Sequence, residues 1–363
     1  MKIALVHTTL PNPVRRKDNG VTHWVHRLGN HLVEAGHEVT AFSADPRPPD
    51  ALYAVRPLPA PAWATRGVLG RALALPWFLN RIPSRDFDVV STHGDDPFFF
   101  ARNRVRSFYG SALGEMLSAV RWRRRASTAL NYPLELLSAA LAPAAVAMSN
   151  TTQRHFPFVK RRVEFAVDGR VYHPGAKAKE PTILFVGTVK GRKRGDFLLD
   201  VFQTVVRPAV PNARLLMVCD EPVSGEGVVD MGRVATEADM GELYRSAWVY
   251  CLPSTYEGLS LTYLESLASG TAAIFTPARA AREALGEPPA GLLPSDEDYG
   301  QAIVRVLSDE VFRQDLEQRG VRRAEFYTWQ RTVAGLVAIF EEVRDRSRKA
   351  RPALARHKTD SVD

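Results

Sequence analysis

The run Trp248-Val249-Tyr250-Cys251-Leu252-Pro253-Ser254-Thr255-Tyr256-Glu257-Gly258-Leu259-Ser260-Leu261-Thr262-Tyr263-Leu264-Glu265-Ser266-Leu267-Ala268-Ser269-Gly270 passes from apolar residues through turn residues into helical spacing. Its first five residues read as a short buried parallel strand. Glu257 falls in the loop that follows. Ser260 fits the N-cap of a helix, which leaves the backbone N–H groups of Leu261, Thr262 and Tyr263 unpaired at the first turn. Such a turn is a seat for phosphate. Along the helix, Leu261, Leu264 and Ala268 form an apolar stripe, while Thr262, Glu265, Ser266 and Ser269 form a polar one. Glu265 therefore lies more than a turn inside the helix, on a polar line leading back to the phosphate position. One carboxylate suits a sugar hydroxyl and the other a ribose. Two glutamates at an arbitrary spacing are ordinarily solvated surface residues. The strand, loop, cap and polar stripe around this pair favour a site.

Outward from this run, strands and helices alternate. Ile183–Gly187, Leu215–Cys219 and Ala272–Thr276 read as strands, and Phe197–Val206 and Met240–Ala247 as helices. This is a doubly wound α/β domain. The N-terminal half opens the same way: strand Lys2–His7, turn signals at Pro11-Asn12-Pro13 and Asn19-Gly20, then Trp24, Val25, Leu28, Leu32 and Val33 at helical spacing. Gly36 closes that helix and Glu38–Phe42 restores strand character, giving a right-handed βαβ unit. The next forty residues, rich in proline and alanine, carry no clear period. Asp88–His93 and Ala145–Ser149 read as further strands. The expected organisation is an N-terminal domain over 1–170, a C-terminal domain over 171–327 with the linker at Asp168–Lys179, a helix over 328–345 crossing back, and a basic disordered tail over 346–363. Sheets of this kind bind ligands at the carboxyl ends of their strands, so two facing domains predict a central cleft.

The chain of 363 residues exceeds one ordinary core, which agrees with two domains. Cys219 and Cys251 sit inside apolar runs and read as buried strand residues, not a disulfide or a metal pair. The N-terminus lacks the layout of a signal peptide, and no stretch reaches about 18 apolar residues; the cytoplasm is the expected compartment. The net charge of +8 favours anionic partners without choosing among them. Nucleic acid is permitted by charge, but no recognisable module supports it. Arg102, Arg104 and Arg106 precede a stretch ending in Arg121-Trp122-Arg123-Arg124-Arg125. From Phe108 to Leu137, apolar residues lie beside this run. That pattern fits either an anionic membrane surface, with a lipid-linked or anionic acceptor at the inner leaflet, or a packed helix with solvated arginines.

The pattern Glu257, seven residues, Glu265 resembles the signature of retaining glycosyltransferases of the GT-B fold, in the large group 1 family typified by sucrose and phosphatidylinositol-mannose synthesis. The resemblance extends to Leu184–Gly187 followed by Gly191-Arg192-Lys193-Arg194-Gly195, to Asp168 with Tyr172 and Pro174, to Tyr244–Ala247, and to Glu325–Trp329 at the start of the last helix. It covers most of residues 145–345, and is looser before them. It implies two Rossmann-like domains facing a cleft, a nucleotide-sugar donor linked to uridine or guanosine diphosphate, and no cofactor. Glu257 would bind donor-sugar hydroxyls and Glu265 the ribose. The amides of Leu261 and Thr262 would meet phosphate. An arginine and a lysine, here Arg192 and Lys193 with Arg194 as a competitor, would grip the pyrophosphate, and Gly187 and Gly258 would flank the donor. His93 matches a histidine that reaches the donor sugar, and Gly20 would let the first loop approach it. Two departures stand out. Thr188 replaces the usual arginine after Gly187, and Ser260 a usual glycine.

Transfer from such a donor expels a diphosphate, and positive side chains plus a helix N-terminus can stabilise it. Asp95-Asp96 lacks the spacing of an Asp-Xaa-Asp metal motif. The expectation is metal-independent catalysis with Lys193, Glu257 and His93 at its centre. A non-catalytic scaffold and a sugar-nucleotide epimerase share the architecture and remain as rivals.

Overall fold

A computed structural model describes residues 1–12, 20–67, 70–119 and 122–357. Its contacts divide the chain into two compact units. The first comprises 1–112, 129–164 and 329–363, and the second 113–128 and 165–328. Besides the boundary expected near 170 and the return expected at 328, the chain visits the second unit once over 113–128, before it enters that unit at 165 and leaves it at 329.

Among the described residues the first unit holds seven parallel strands: β1 (Lys2–Val6), β2 (Glu38–Ser43), β3 (Ala54–Pro57), β4 (Val89–Thr92), β5 (Arg104–Phe108), β6 (Ala144–Ala147) and β7 (Arg161–Arg162). Their order is β3-β2-β1-β4-β5-β6-β7, so the winding reverses between β1 and β4. The helix Gly20–Glu34 buries Trp24, Val25, Leu28 and Leu32. Within the stretch that lacked a period, the helix Leu75–Leu79 turns Leu75 and Leu79 into a core with Ile82, Phe99 and Val90.

Strand β5 corrects the reading of the arginines. Arg104 and Arg106 belong to a fully covered strand, not to a basic surface ahead of a helix. Arg104 lies 3.6 Å and Arg106 3.1 Å from the carboxylate of Asp96, itself wholly buried. Thr92 and Ser138 also donate to Asp96. A buried guanidinium persists only when paired and hydrogen-bonded, and Asp96 supplies that partner. The segment expected to be one amphipathic stretch is likewise divided into the end of β5, the helix Ala112–Ser118 and the helix Trp122–Leu141. Arg121 lies outside the described residues.

The last helix runs Trp329–His357, so residues 346–357, read from composition as tail, continue it. Trp329 stacks on His31 at 4.5 Å, and Arg161 grips Glu342 through two nitrogens at 3.2 and 2.7 Å.

The second unit holds β8 (Thr182–Val186), β9 (Arg214–Val218), β10 (Val228–Asp230), β11 (Val249–Leu252) and β12 (Ala272–Phe275), in order β10-β9-β8-β11-β12. All its pairings are parallel. Winding reverses between β8 and β11, which brings the loops after these two strands together. The linker is fastened by Lys177, whose ammonium donates to the carbonyls of Ala247 (2.9 Å) and Gly270 (2.7 Å). Burial lowers its pKa to about 8 although Glu317 opposes the shift. Cys219 and Cys251 are buried free thiols.

Candidate functional site

The loops after β8 and β11 build one charged cluster. After β8, Gly191 takes a φ of +97°, which glycine adopts without penalty, and the chain turns back. A side chain at Gly187 would come within 3.1 Å of the Lys193 Cγ, so the glycine leaves room for that lysine across the strand end. The two loops are tied by Thr255 N–H donating to Arg192 O (2.9 Å) and Arg192 Nη1 donating to Tyr256 O (3.0 Å). Glu257 Oε1 lies 2.5 Å from Arg192 Nη1 and 2.7 Å from Lys193 Nζ. Lys193 Nζ also reaches Ser260 Oγ at 3.4 Å, next to the start of the helix Leu261–Ala268.

Burial alone would raise the Glu257 carboxyl, but Lys193 and Arg192 hold it at about 2. Burial lowers the Lys193 ammonium against the pull of Glu257. For Arg192 burial acts downward too, yet Glu257 wins and the guanidinium is held above its ordinary value. Glu115 adds to that effect from the early excursion 113–128, where Gly114 leaves the space that the Tyr256 ring fills. No periodicity in the sequence marks this remote contribution.

The helix start differs from expectation in two details. Ser260 occupies the N-cap, but its hydroxyl pairs with Thr262 Oγ1 (2.9 Å) and caps no backbone amide. The Tyr263 N–H donates to Ser260 O at 3.1 Å and is not free. Leu261 and Thr262 remain the first-turn amides that lack an acceptor inside the helix. Glu265 is buried, unlike a glutamate of a solvated surface. Burial keeps the hydroxyls of Tyr244 and Tyr250 protonated, and the Glu265 charge adds to this.

The structure thus gathers Gly187, Arg192, Lys193, Glu257, Gly258, Leu261, Thr262 and Glu265 within the second unit. It leaves Arg194 out of the cluster. That residue, at φ +55°, forms a bidentate pair with Asp296 at 2.9 and 2.7 Å. Gly20 is the exposed first residue of its helix, and the turn before it lies outside the described residues.

His93 follows β4 in the first unit, at the point where that sheet's winding reverses. The Tyr109 hydroxyl, which burial keeps protonated, lies 2.5 Å from His93 Nδ1 and shares a hydrogen bond with it. His7, at the end of β1, was read only as a strand terminus. Burial, His7 and Arg106 together lower the His93 pKa well below 6.5. Burial lowers His7 to about 4, with Asp95 opposing and Arg71 and Arg106 reinforcing the shift. A depressed histidine pKa means that the unfolded chain takes up protons first, so stability falls with pH between 6.5 and 4. For His7 alone the loss between pH 7 and 5 is about 2 kcal/mol. Urea unfolding of wild type and His7→Gln at both pH values checks this; the variant should show a smaller acid loss.

Residues 18–159 match the family model described as Glycosyltransferase Family 4, and residues 180–309 that described as Glycosyl transferases group 1. An MMP alpha-(1->4)-mannosyltransferase of Mycolicibacterium hassiacum is 36% identical over 114 residues, 30% of this chain and 27% of that protein. A D-inositol 3-phosphate glycosyltransferase of Salinispora arenicola is 28% identical over 182 residues, 44% of this chain and 41% of that protein. The chain therefore aligns with less than half the length of either relative. A sucrose-phosphate synthase structure from Thermosynechococcus elongatus superposes with a TM-score of 0.75 over 94% of this chain and 98% of that one, at 18% identity. That likeness establishes a GT-B fold of two Rossmann-like domains. With one matched model on each half and that fold, the chain belongs to the group 1 glycosyltransferases.

Proposed function

We propose that the chain transfers a sugar from a nucleoside diphosphate donor to an acceptor hydroxyl, with retention at the anomeric carbon and without a metal ion. The observation that carries this is the pair of cations, Arg192 and Lys193, meeting on buried Glu257 beside a helix N-terminus. Departure of the sugar leaves charge on the diphosphate. A cation about 4 Å from that oxygen contributes roughly 4 kcal/mol at an effective dielectric of about 20. Lys193, Arg192 and the amides of Leu261 and Thr262 supply positive charge already in place, which requires no reorganisation during reaction. Glu257 holds both cations and takes the sugar hydroxyls. Glu265 takes the ribose. The family resemblance gives His93 and Gly20 donor-side roles as well.

The two glutamates are not the acid and nucleophile of a glycosidase, which must flank one bond. Glu257 is ionised far below neutrality by its cations and serves as an acceptor of hydrogen bonds, not as an acid. For the acceptor, the names of the relatives support an anionic or lipid-linked polyol: D-inositol 3-phosphate in one group and phosphatidyl-myo-inositol in another. The basic net charge agrees with such a partner and with work at the inner membrane face.

Thermal unfolding with uridine and guanosine diphosphates and their sugars, in EDTA, tests the donor site. Selective stabilisation by one nucleotide is expected. Absence of any shift, with no binding at higher ligand concentration, would leave a scaffold. Conversion of the donor sugar without acceptor would indicate an epimerase. The anomeric configuration of the product, read by NMR, tests retention.

A further inference from the structure

The helix Leu75–Leu79 is apolar on both sides. Inward it contributes Leu75 and Leu79 to the core of the first unit. Outward, Trp77 is 58% exposed, joined by Phe100 at 58% and Trp63 at 62%. These rings fall into two ordered groups on neighbouring residues of the chain. Trp77 stacks on Phe98 with centroids 5.2 Å apart and planes at 12°, and meets Phe100 edge-on at 6.3 Å. Trp63 meets Phe78 edge-on at 5.9 Å, and the Arg81 guanidinium lies 4.9 Å over the Phe78 ring. Asn80 fixes the two segments together. Its amide donates to Phe98 O (2.9 Å) and its carbonyl accepts from Phe100 N–H (2.8 Å). Packing does not require solvent-facing tryptophan, and a surface of this kind calls for a partner.

Its charge points to which one. From Leu58 to Pro83 the sequence holds Arg66, Arg71 and Arg81 and no aspartate or glutamate, and Arg102 follows Phe100 closely. Arg71 is taken up by Asp95 at 2.7 Å, whereas Arg66, Arg81 and Arg102 are exposed. Tryptophan and phenylalanine favour the boundary between headgroups and acyl chains, and arginine complements anionic headgroups. Among the described residues no helix is long and apolar enough to cross a membrane, so contact would be at the surface. We propose that the Trp63, Trp77, Phe98 and Phe100 face, with Arg66, Arg81 and Arg102, docks the protein onto an anionic lipid bilayer. This rests on the reading that the enzyme works at a membrane. It places the contact on a different surface from the Phe108–Leu137 stretch, whose first residue is buried at the end of β5 and whose preceding Arg104 and Arg106 are taken up by Asp96.

Flotation of the full chain with vesicles tests it. One set is phosphatidylcholine alone, the other an equal mixture with phosphatidylglycerol. Wild type should float with the acidic vesicles at low salt and detach at high salt. The variants Trp77→Ser/Phe100→Ser and Arg66→Glu/Arg81→Glu should each weaken binding on the order of tenfold or more, since each cation near an anionic surface contributes a several-fold factor. Their thermal midpoints and nucleoside diphosphate binding should stay at wild-type values, which separates docking from the donor site. Leu117→Ser/Trp122→Ser, at two exposed residues of the former candidate stretch, should float as wild type does. Equal flotation of the patch variants and wild type, or a loss confined to the Leu117/Trp122 variant, overturns the assignment. Failure of wild type to float overturns the membrane reading with it, while nucleotide binding still stands or falls separately. A change of oligomeric size on patch mutation, without vesicle binding, would make the face a contact between copies.

Discussion

Lys193→Ala is expected to lower the rate of sugar transfer by about 10²–10³, the range seen when one preorganised stabilising group is removed from an active site. The lysine is largely enclosed, so its charge acts across a poorly screening environment, and Gly187 keeps the space it needs. Arg192 stays behind on Glu257, which is why the loss should fall short of abolition. If Lys193 stabilises departing diphosphate more than bound donor, kcat falls and the donor KM changes little. Single-turnover transfer with saturating donor reads this directly. A turnover near that of wild type would move the role to Arg192. Arg194→Ala is the companion measurement. Its guanidinium is engaged by Asp296, so transfer should be nearly unchanged.

Glu257→Ala should have the largest effect on stability. It leaves Arg192 and Lys193 side by side without their counter-charge, and breaking a buried ion pair from one side costs about 3–5 kcal/mol. The loss belongs to the second unit and should appear in denaturant unfolding monitored there. Donor binding should fail with it. Glu257→Gln keeps the shape and removes the charge, and Lys193→Ala in that background should cost less than the two single changes summed, because the lost interaction is shared. Additive costs would mean that the lysine and glutamate act independently. The acid limb supplies a second check. The carboxyl is held at about 2 against 4.5, so the stability it contributes is full above 4.5 and is lost as pH falls toward 2. That window lies below the one set by His7, so the two units should respond to acid in sequence.

Much of this arrangement was legible before any coordinates. Residues 248–276 announced strand, loop, helix and strand because buried parallel strands are short apolar runs and the helix between them keeps its period. Glu257 and Glu265 stood out through that local context. Strand β5 was missed because its arginines look like solvent-facing charge. They alternate with Val105 and Ser107 at the period of a strand, but charged residues are so seldom fully buried that composition argued against it. Only the presence of Asp96 nearby reverses that argument, and Asp96 is distant from Arg106 by a turn and a strand start. The helix Leu75–Leu79 was missed for a different reason. With apolar residues on both sides, it shows no amphipathic stripe to detect.

What the sequence determined by itself is the order of α/β elements, the family, and the residue types of the cluster, since each depends on neighbours a few positions apart. The tertiary structure decided which of three consecutive basic residues meet Glu257. Arg192, Lys193 and Arg194 are chemically interchangeable in a list, but a left-handed residue at Arg194 turns its side chain toward Asp296, 102 positions away. It also decided that Glu115 reaches Arg192 and that His7 lies beside His93, through strand order and an early excursion of the chain into the second unit. Electrostatic partners are set by distances through space in a medium of low dielectric, and those distances exist only once the sheets have formed.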